Sequence, residues 1–89
     1  MERRRVYYAG RVQGVGFRYT AVRMAANYRV GGYVRNLADG RVEVVAEGEA
    51  GEVEAFLADL ARRMHGYIWE TRVQEEPGTG EFAEFDVRH

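Results

Sequence analysis

Residues 10–18 have the sequence GRVQGVGFR, and this stretch separates two unlike segments of the chain. Before it, residues 5–11 are rich in valine and tyrosine, which favours a β-strand. After it, residues 20–29 consist of good helix formers with apolar side chains at helical spacing, and the Gly31-Gly32 pair ends that pattern. The stretch therefore predicts a strand, a glycine-containing loop and a helix in succession.

The middle of the chain predicts a β-hairpin. Residues 33–37 have the composition of a strand, and Asp39-Gly40 favours a tight turn because both residue types tolerate positive φ. In residues 41–47, apolar and charged side chains alternate. This alternation predicts a sheet with one face against the core and the other face in water.

The second helix has the clearest pattern, because apolar residues recur at helical spacing throughout residues 53–64. Gly66 follows as a natural end to the helix. Residues 67–74 and 82–87 predict two further strands around a turn at 77–80. The order is βαββαβ with an added terminal strand in a hairpin. It predicts an α/β (α+β) protein with two helices on one face of an antiparallel sheet.

Composition narrows the class of protein. The 89 residues form one predicted domain, and the formal net charge of −1 gives no reason to expect nucleic acid or an anionic membrane as a partner. The chain has no apolar N-terminal run, so a cytoplasmic location is expected. It contains no cysteine and no serine, which removes the two commonest protein nucleophiles. Its two histidines are not clustered with carboxylates, so no metal site is predicted.

The loop before the first helix has the residues of an anion-binding nest. Gly14 and Gly16 allow successive backbone N–H groups to point inward, and the N-terminus of a helix adds partial positive charge. Arg18 follows at the rim, where its paired donors match two phosphoryl oxygens. The alternative is an ordinary tight turn followed by a solvated arginine.

Two further features have competing interpretations. Asn36 ends a predicted strand, where its amide could donate to and accept from one water molecule, or could simply form the turn that follows. The Tyr7-Tyr8 pair could stack on bases, as aromatic residues do in RNA-binding sheets of this topology. Strand alternation instead places one tyrosine in the core and one outside, which favours ordinary packing.

Residues 10–18 (GRVQGVGFR) and 32–43 (GYVRNLADGRVE) resemble, in order and spacing, the two motifs of the acylphosphatase family. The resemblance covers essentially the whole chain and implies a ferredoxin-like α/β sandwich. It also implies hydrolysis of the carboxyl–phosphate bond of acyl phosphates by direct, metal-independent attack of water, without a cofactor. Arg18 would bind the phosphoryl group and Asn36 would orient the water. The backbone N–H groups that would surround the phosphate belong to Gln13, Gly14, Val15, Gly16, Phe17 and Arg18.

Two other functions remain open from the sequence. One is a non-catalytic ferredoxin-like module that binds RNA or a regulatory anion. The other is a domain resembling that of larger carbamoyl-transfer maturation proteins, which is disfavoured because the chain ends at His89 without a partner domain. A monomer is expected, because Glu84 and Asp86 on the final strand would discourage pairing between sheet edges.

Overall fold

The computed structural model describes residues 1–89, and its main elements follow the predicted order. Neither helix has the length and apolar character needed to cross a bilayer. The strands and helices are β1 (Glu2–Gly10), α1 (Phe17–Ala25), β2 (Val30–Asn36), β3 (Val42–Gly48), α2 (Ala50–Arg63), β4 (Ile68–Pro77) and β5 (Phe85–Val87), with a short 3-10 helix (His65–Tyr67) between α2 and β4.

The first helix begins and ends earlier than predicted. Gly16, in the left-handed conformation, is the residue before its first turn, so the helix starts directly after the glycine loop. At its other end, the N–H groups of Asn27 and Tyr28 donate to carbonyls three residues back, and the helix closes in tight turns. The Tyr28 hydroxyl then donates to Asp59 on α2 at 2.8 Å. This tertiary contact redirects the chain before the helical sequence pattern is exhausted.

The sheet has five strands in the order β4-β1-β3-β2-β5. Four of them pair antiparallel, but β5 pairs parallel to β2 with Gly32 opposite Phe85 and Val34 opposite Val87. The predicted hairpin between the last two strands is therefore wrong, since β4 and β5 lie at opposite edges of the sheet. The sheet is therefore mixed: it is antiparallel over β4, β1, β3 and β2, as predicted, and parallel at β5.

The hydrophobic core lies between the two helices and one face of the sheet. It includes alternate residues of the central strands together with the apolar stripe predicted for α2, of which Val53, Phe56 and Leu60 are fully buried. The ring of Phe56 also packs edge-on against Phe85, with centroids 5.2 Å apart. Because Phe85 lies on β5, this contact helps to hold the last strand at the β2 edge.

The helix-free face of the sheet is not open to water as predicted. Glu43 and Glu47 on β3 are only 1% and 4% exposed. The connection between β4 and β5 crosses this face, where the Gly80 N–H donates to Glu47 at 2.7 Å and the Phe82 ring packs on Tyr33. The alternating pattern identified the face correctly but could not indicate that a later segment covers it.

Arginine side chains donate hydrogen bonds to the buried carboxylates beneath the connection between β4 and β5. Arg5 on β1 and Arg35 on β2 donate to the two oxygens of Glu43 at 2.8 and 2.6 Å, and the Tyr33 hydroxyl donates at 3.2 Å. Burial raises the pKa of Glu43, but these hydrogen bonds and the arginine charges outweigh it and hold the pKa below its ordinary value near 4.5. Glu43 therefore joins three adjacent strands through ionic hydrogen bonds. β1 begins at Glu2, ahead of the predicted start at residue 5, because residues 2–4 pair with β3 on one side and β4 on the other.

We expect Glu43→Gln to lower the free energy of unfolding by about 3 kcal/mol at neutral pH, because it removes one partner of a buried ionic cluster. The folded pKa of Glu43 is lowered, so its contribution is complete above about pH 4.5 and is lost as the pH falls through the folded value. Urea unfolding at about pH 7 and about pH 3 should show the gap from the unmodified protein narrowing in acid. Glu70→Gln, at an exposed site, should change stability by less than about 0.5 kcal/mol. A gap that is constant or wider in acid would contradict this role of Glu43.

Candidate active site

The loop between β1 and α1 depends on the conformation of two glycines. Gly14 and Gly16 have φ angles of 79° and 82°, in the left-handed region that residues with a Cβ avoid. A Cβ added at either position would meet no atom within 4 Å. The loop therefore needs glycine for backbone freedom and not for space.

The backbone N–H groups from Gln13 through Tyr19 have no acceptor within the protein. The first such bond of the helix runs from the Thr20 N–H to the Gly16 carbonyl at 2.9 Å, which leaves every N–H of the preceding loop and first turn free. The first turn of α1 also contains no acidic residue. This run of donors at a positive helix end suits an anion.

These donors border a cleft of about 380 Å³. Its volume falls in the range typical of small-molecule sites, about 300–1,000 Å³. The residues that line it are Val12, Gly14, Gly16, Phe17, Arg18, Tyr19, Asn36, Val87 and His89. The glycine loop, the start of α1, the end of β2 and the last strand thus meet at one place.

The packing of Phe17 fixes the position of its neighbour Arg18. The Phe17 ring is 2% exposed and packs on Tyr8 of β1 with centroids 5.0 Å apart, so the start of α1 is fixed to the sheet. Arg18, the next residue, is half-buried and forms neither an ion pair nor a side-chain hydrogen bond. Most arginines on the sheet are paired with carboxylates, whereas the guanidinium of Arg18 is free beside the cleft.

Gln13 joins the loop to the turn between β2 and β3. Its side-chain amide donates to the carbonyls of Leu37 and Arg41, at 2.8 and 2.9 Å. Leu37 and Arg41 are themselves joined by a backbone hydrogen bond of 2.8 Å, which closes the turn. Asn36 comes directly before Leu37, so the same contacts set the distance between the glycine loop and Asn36.

The side chain of Asn36 is not used to form the turn that follows it. That role belongs to Asp39, whose carboxylate accepts from the Arg41 N–H at 3.1 Å and from the Arg41 guanidinium at 2.9 Å. Asn36 lines the cleft and its amide makes no hydrogen bond in the structure. The amide is therefore available to a bound molecule, and the turn-forming interpretation of Asn36 has no support from the contacts.

The structure places five of the seven predicted site residues in the lining of the cleft. Gly14, Gly16, Phe17, Arg18 and Asn36 line the cleft. Gln13 and Val15 do not. The Gln13 side chain binds the turn, and the Val15 side chain packs against the core. Their backbone N–H groups, which are the atoms named in the prediction, are without acceptors.

Four residues at the cleft were not predicted as site residues: Val12, Tyr19, Val87 and His89. The last two arrive because β5 runs parallel to β2, and the Arg88 N–H continues the pairing by donating to the Val34 carbonyl at 3.0 Å. Only the correct strand order could have placed them beside Asn36. Tyr19 could have been found from its position next to Arg18.

The structure also bears on the Tyr7-Tyr8 pair and on metal binding. Tyr8 is 2% exposed while Tyr7 is half-buried, with the Arg41 guanidinium 4.7 Å from its ring centroid, so one tyrosine lies in the core and one outside as predicted. The structure contains no group of three or more histidine, aspartate or glutamate side chains arranged to hold a metal ion.

Fold and cleft together define a class of protein: a small ferredoxin-like α+β sandwich in which a glycine loop with free backbone donors leads into the first helix. A family model described as Acylphosphatase matches residues 4–87. The acylphosphatase of Methylococcus capsulatus is 49% identical over 92 residues, which cover 98% of this chain and 96% of that protein. The acylphosphatase of Rubrobacter xylanophilus is 46% identical over 88 residues, covering 98% of this chain and 80% of that protein.

Solved structures agree with these sequence relatives. The crystal structure of acylphosphatase from Bacillus subtilis matches with a TM-score of 0.89 at 30% sequence identity, over 100% of both chains. The chain therefore belongs to the acylphosphatase family, and the protein is a hydrolase of acyl phosphates. A non-catalytic module binding RNA or a regulatory anion is not favoured.

Proposed function

We propose that the cleft between the glycine loop and Asn36 hydrolyses the carboxyl–phosphate bond of small acyl phosphates by direct, metal-independent attack of water at phosphorus. One observation carries the proposal. Free backbone donors, an arginine without a carboxylate partner and a free amide border the same cleft of about 380 Å³. These are the groups that a phosphoryl transfer to water requires.

The phosphoryl group binds at the loop. The N–H groups of residues 13–18 donate to its oxygens, and the helix end favours its negative charge. Arg18 adds two parallel donors and a full positive charge that stabilises the transferring phosphoryl group. In related phosphoryl transfers, a single arginine contributes about 10³–10⁵ in rate. Arg18 is therefore the largest side-chain contribution to catalysis.

Asn36 orients the attacking water. Its amide oxygen accepts a hydrogen bond from the water, which directs a lone pair of the water oxygen at phosphorus. The water oxygen bonds to phosphorus, the bond from phosphorus to the acyl oxygen breaks, and the electron pair leaves with the carboxylate. The proton of the water passes to a phosphoryl oxygen of the substrate. Gln13, by holding the turn after Asn36, keeps this geometry fixed.

The leaving group explains why so few catalytic groups suffice. A carboxylate leaves without a proton, because its conjugate acid has a pKa of only about 4. A phosphate monoester must instead expel an alkoxide, which usually needs a general acid or a metal. Charge stabilisation and positioning are then enough for an acyl phosphate, and neither a cofactor nor a protein nucleophile is required.

We further propose that residues 1–89 act as one acylphosphatase-like domain and as a monomer. A single buried cluster contains residues from both helices and from β1 to β3, which supports one cooperative unit. The edge strand β4 carries charged side chains and a bulge where it pairs with Ala9 and Gly10, and β5 is only three residues long. Both features disfavour pairing between sheet edges. The cytoplasmic location and the absence of nucleic-acid and membrane partners remain predictions from composition.

Replacing Arg18 should nearly abolish turnover. We expect Arg18→Lys and Arg18→Ala both to lower kcat for benzoyl phosphate by about 10³-fold or more, because lysine cannot supply the two parallel donors. Both variants should also weaken binding of inorganic phosphate, measured by calorimetry. Arg11→Lys is the matched control, since Arg11 is exposed and does not line the cleft. Near-normal turnover by either Arg18 variant would disprove the assignment.

Replacing Asn36 should separate binding from turnover. We expect Asn36→Ala to keep phosphate affinity within about twofold while kcat for benzoyl phosphate falls at least about 100-fold, because only the water loses its partner. Asn27→Ala, which removes the other asparagine of the chain from an exposed position, should have no effect. If phosphate affinity falls together with kcat in Asn36→Ala, Asn36 holds the phosphate or the turn and does not orient water.

A further inference from the structure

The last strand brings a histidine to the cleft. Val34 pairs with Val87, and the Arg88 N–H donates to the Val34 carbonyl at 3.0 Å, so the parallel register continues past the end of β5. At the same offset, His89 lies beside Asn36. Neighbouring strands are about 4.8 Å apart, and both residues line the cleft. His89 is therefore next to the residue assigned to the attacking water.

The contacts of the two residues before His89 show which way its side chain points. Successive side chains of an extended chain point to opposite faces of the sheet. The central carbon of the Arg88 guanidinium lies 3.8 Å from the centroid of the Tyr33 ring, on the helix-free face. Val87 packs against the core on the other face. His89 therefore points to the helix side of the sheet, where the cleft lies.

The imidazole of His89 has no partner within the protein. It is exposed and forms neither a side-chain hydrogen bond nor an ion pair. The charged or titratable groups that share the cleft with it are both on α1: the free Arg18 guanidinium, and the Tyr19 hydroxyl, which accepts from Arg23 at 2.7 Å. β2 contributes the neutral amide of Asn36, and the glycine loop contributes no charged side chain. Since no carboxylate side chain lines the cleft, a bound anion is the available partner for an imidazolium there.

We propose that His89 is a binding residue of this site and that its protonated imidazole supplies a second positive charge, after that of Arg18, to a bound phosphoryl group. Histidine changes its charge between about pH 5 and pH 8. The site therefore binds doubly charged anions more tightly in mildly acidic solution than in mildly alkaline solution. The inference rests on the proposed function, since the charge acts on the phosphoryl group only when that group is bound at the glycine loop and Arg18.

Sulfate is the probe for the test, because it is a tetrahedral dianion whose own charge stays constant between about pH 5 and pH 8. We expect calorimetry to give the unmodified protein a Kd for sulfate about three- to tenfold lower at about pH 5.5 than at about pH 8, the factor for one charge near a dianion in a site open to water. His89→Gln should give the weaker affinity at both pH values. His89→Lys, which keeps a positive charge throughout, should give the tighter affinity at both.

His65→Gln is the matched control, because His65 is the other histidine of the chain, is exposed and lies outside the cleft. It should keep the full pH dependence. The proposal is overturned if His89→Gln keeps that dependence, or if the unmodified protein binds sulfate equally at both pH values. Failure of the unmodified protein to bind sulfate or phosphate at either pH, or to hydrolyse benzoyl phosphate, would instead count against the proposed function, so the two failures are distinguishable.

Discussion

The structure depends on one constraint: backbone N–H groups need acceptors, and the loop before α1 provides none for a continuous run of them. Gly14 and Gly16 permit this because their positive φ angles turn the chain without forming internal hydrogen bonds. In the proposed function, the oxygens of a phosphoryl group accept hydrogen bonds from these donors. The buried Phe17 anchors the start of α1 to the sheet, and Arg18 lies beside the loop without an ion-pair partner.

Rigidity in the rest of the molecule supports this site. The bonds from Gln13 to the β2–β3 turn link the glycine loop to the end of β2, where Asn36 lies. On the opposite face of the sheet, Glu43 joins Arg5 and Arg35 and thereby holds β1, β3 and β2 together. Arg35 is the neighbour of Asn36, so the buried ionic cluster and the cleft share the end of the same strand.

The placement of most candidate site residues at one cleft could be predicted from the sequence because its determinants are local. The glycine loop, the helix after it and the apolar stripe of α2 each depend on residues a few positions apart, and the two motifs together indicated the family. The errors are non-local. No local pattern placed β5 beside β2, so Val87 and His89 were not expected at the cleft. The alternation in β3 could not reveal that Glu43 is paired with Arg5, which is 38 residues away.

The central claim concerns the leaving group. Backbone donors, one arginine and one asparagine suffice to hydrolyse a phosphate ester or anhydride with a good leaving group, and they fail to hydrolyse one with a poor leaving group. Benzoyl phosphate and phenyl phosphate share an aromatic ring but release a carboxylate and a phenolate, whose conjugate acids have pKa values of about 4 and about 10. The account predicts rapid hydrolysis of benzoyl phosphate that a metal chelator leaves unchanged, with phenyl phosphate almost untouched. Comparable rates for the two substrates, or loss of activity on chelation, would contradict it.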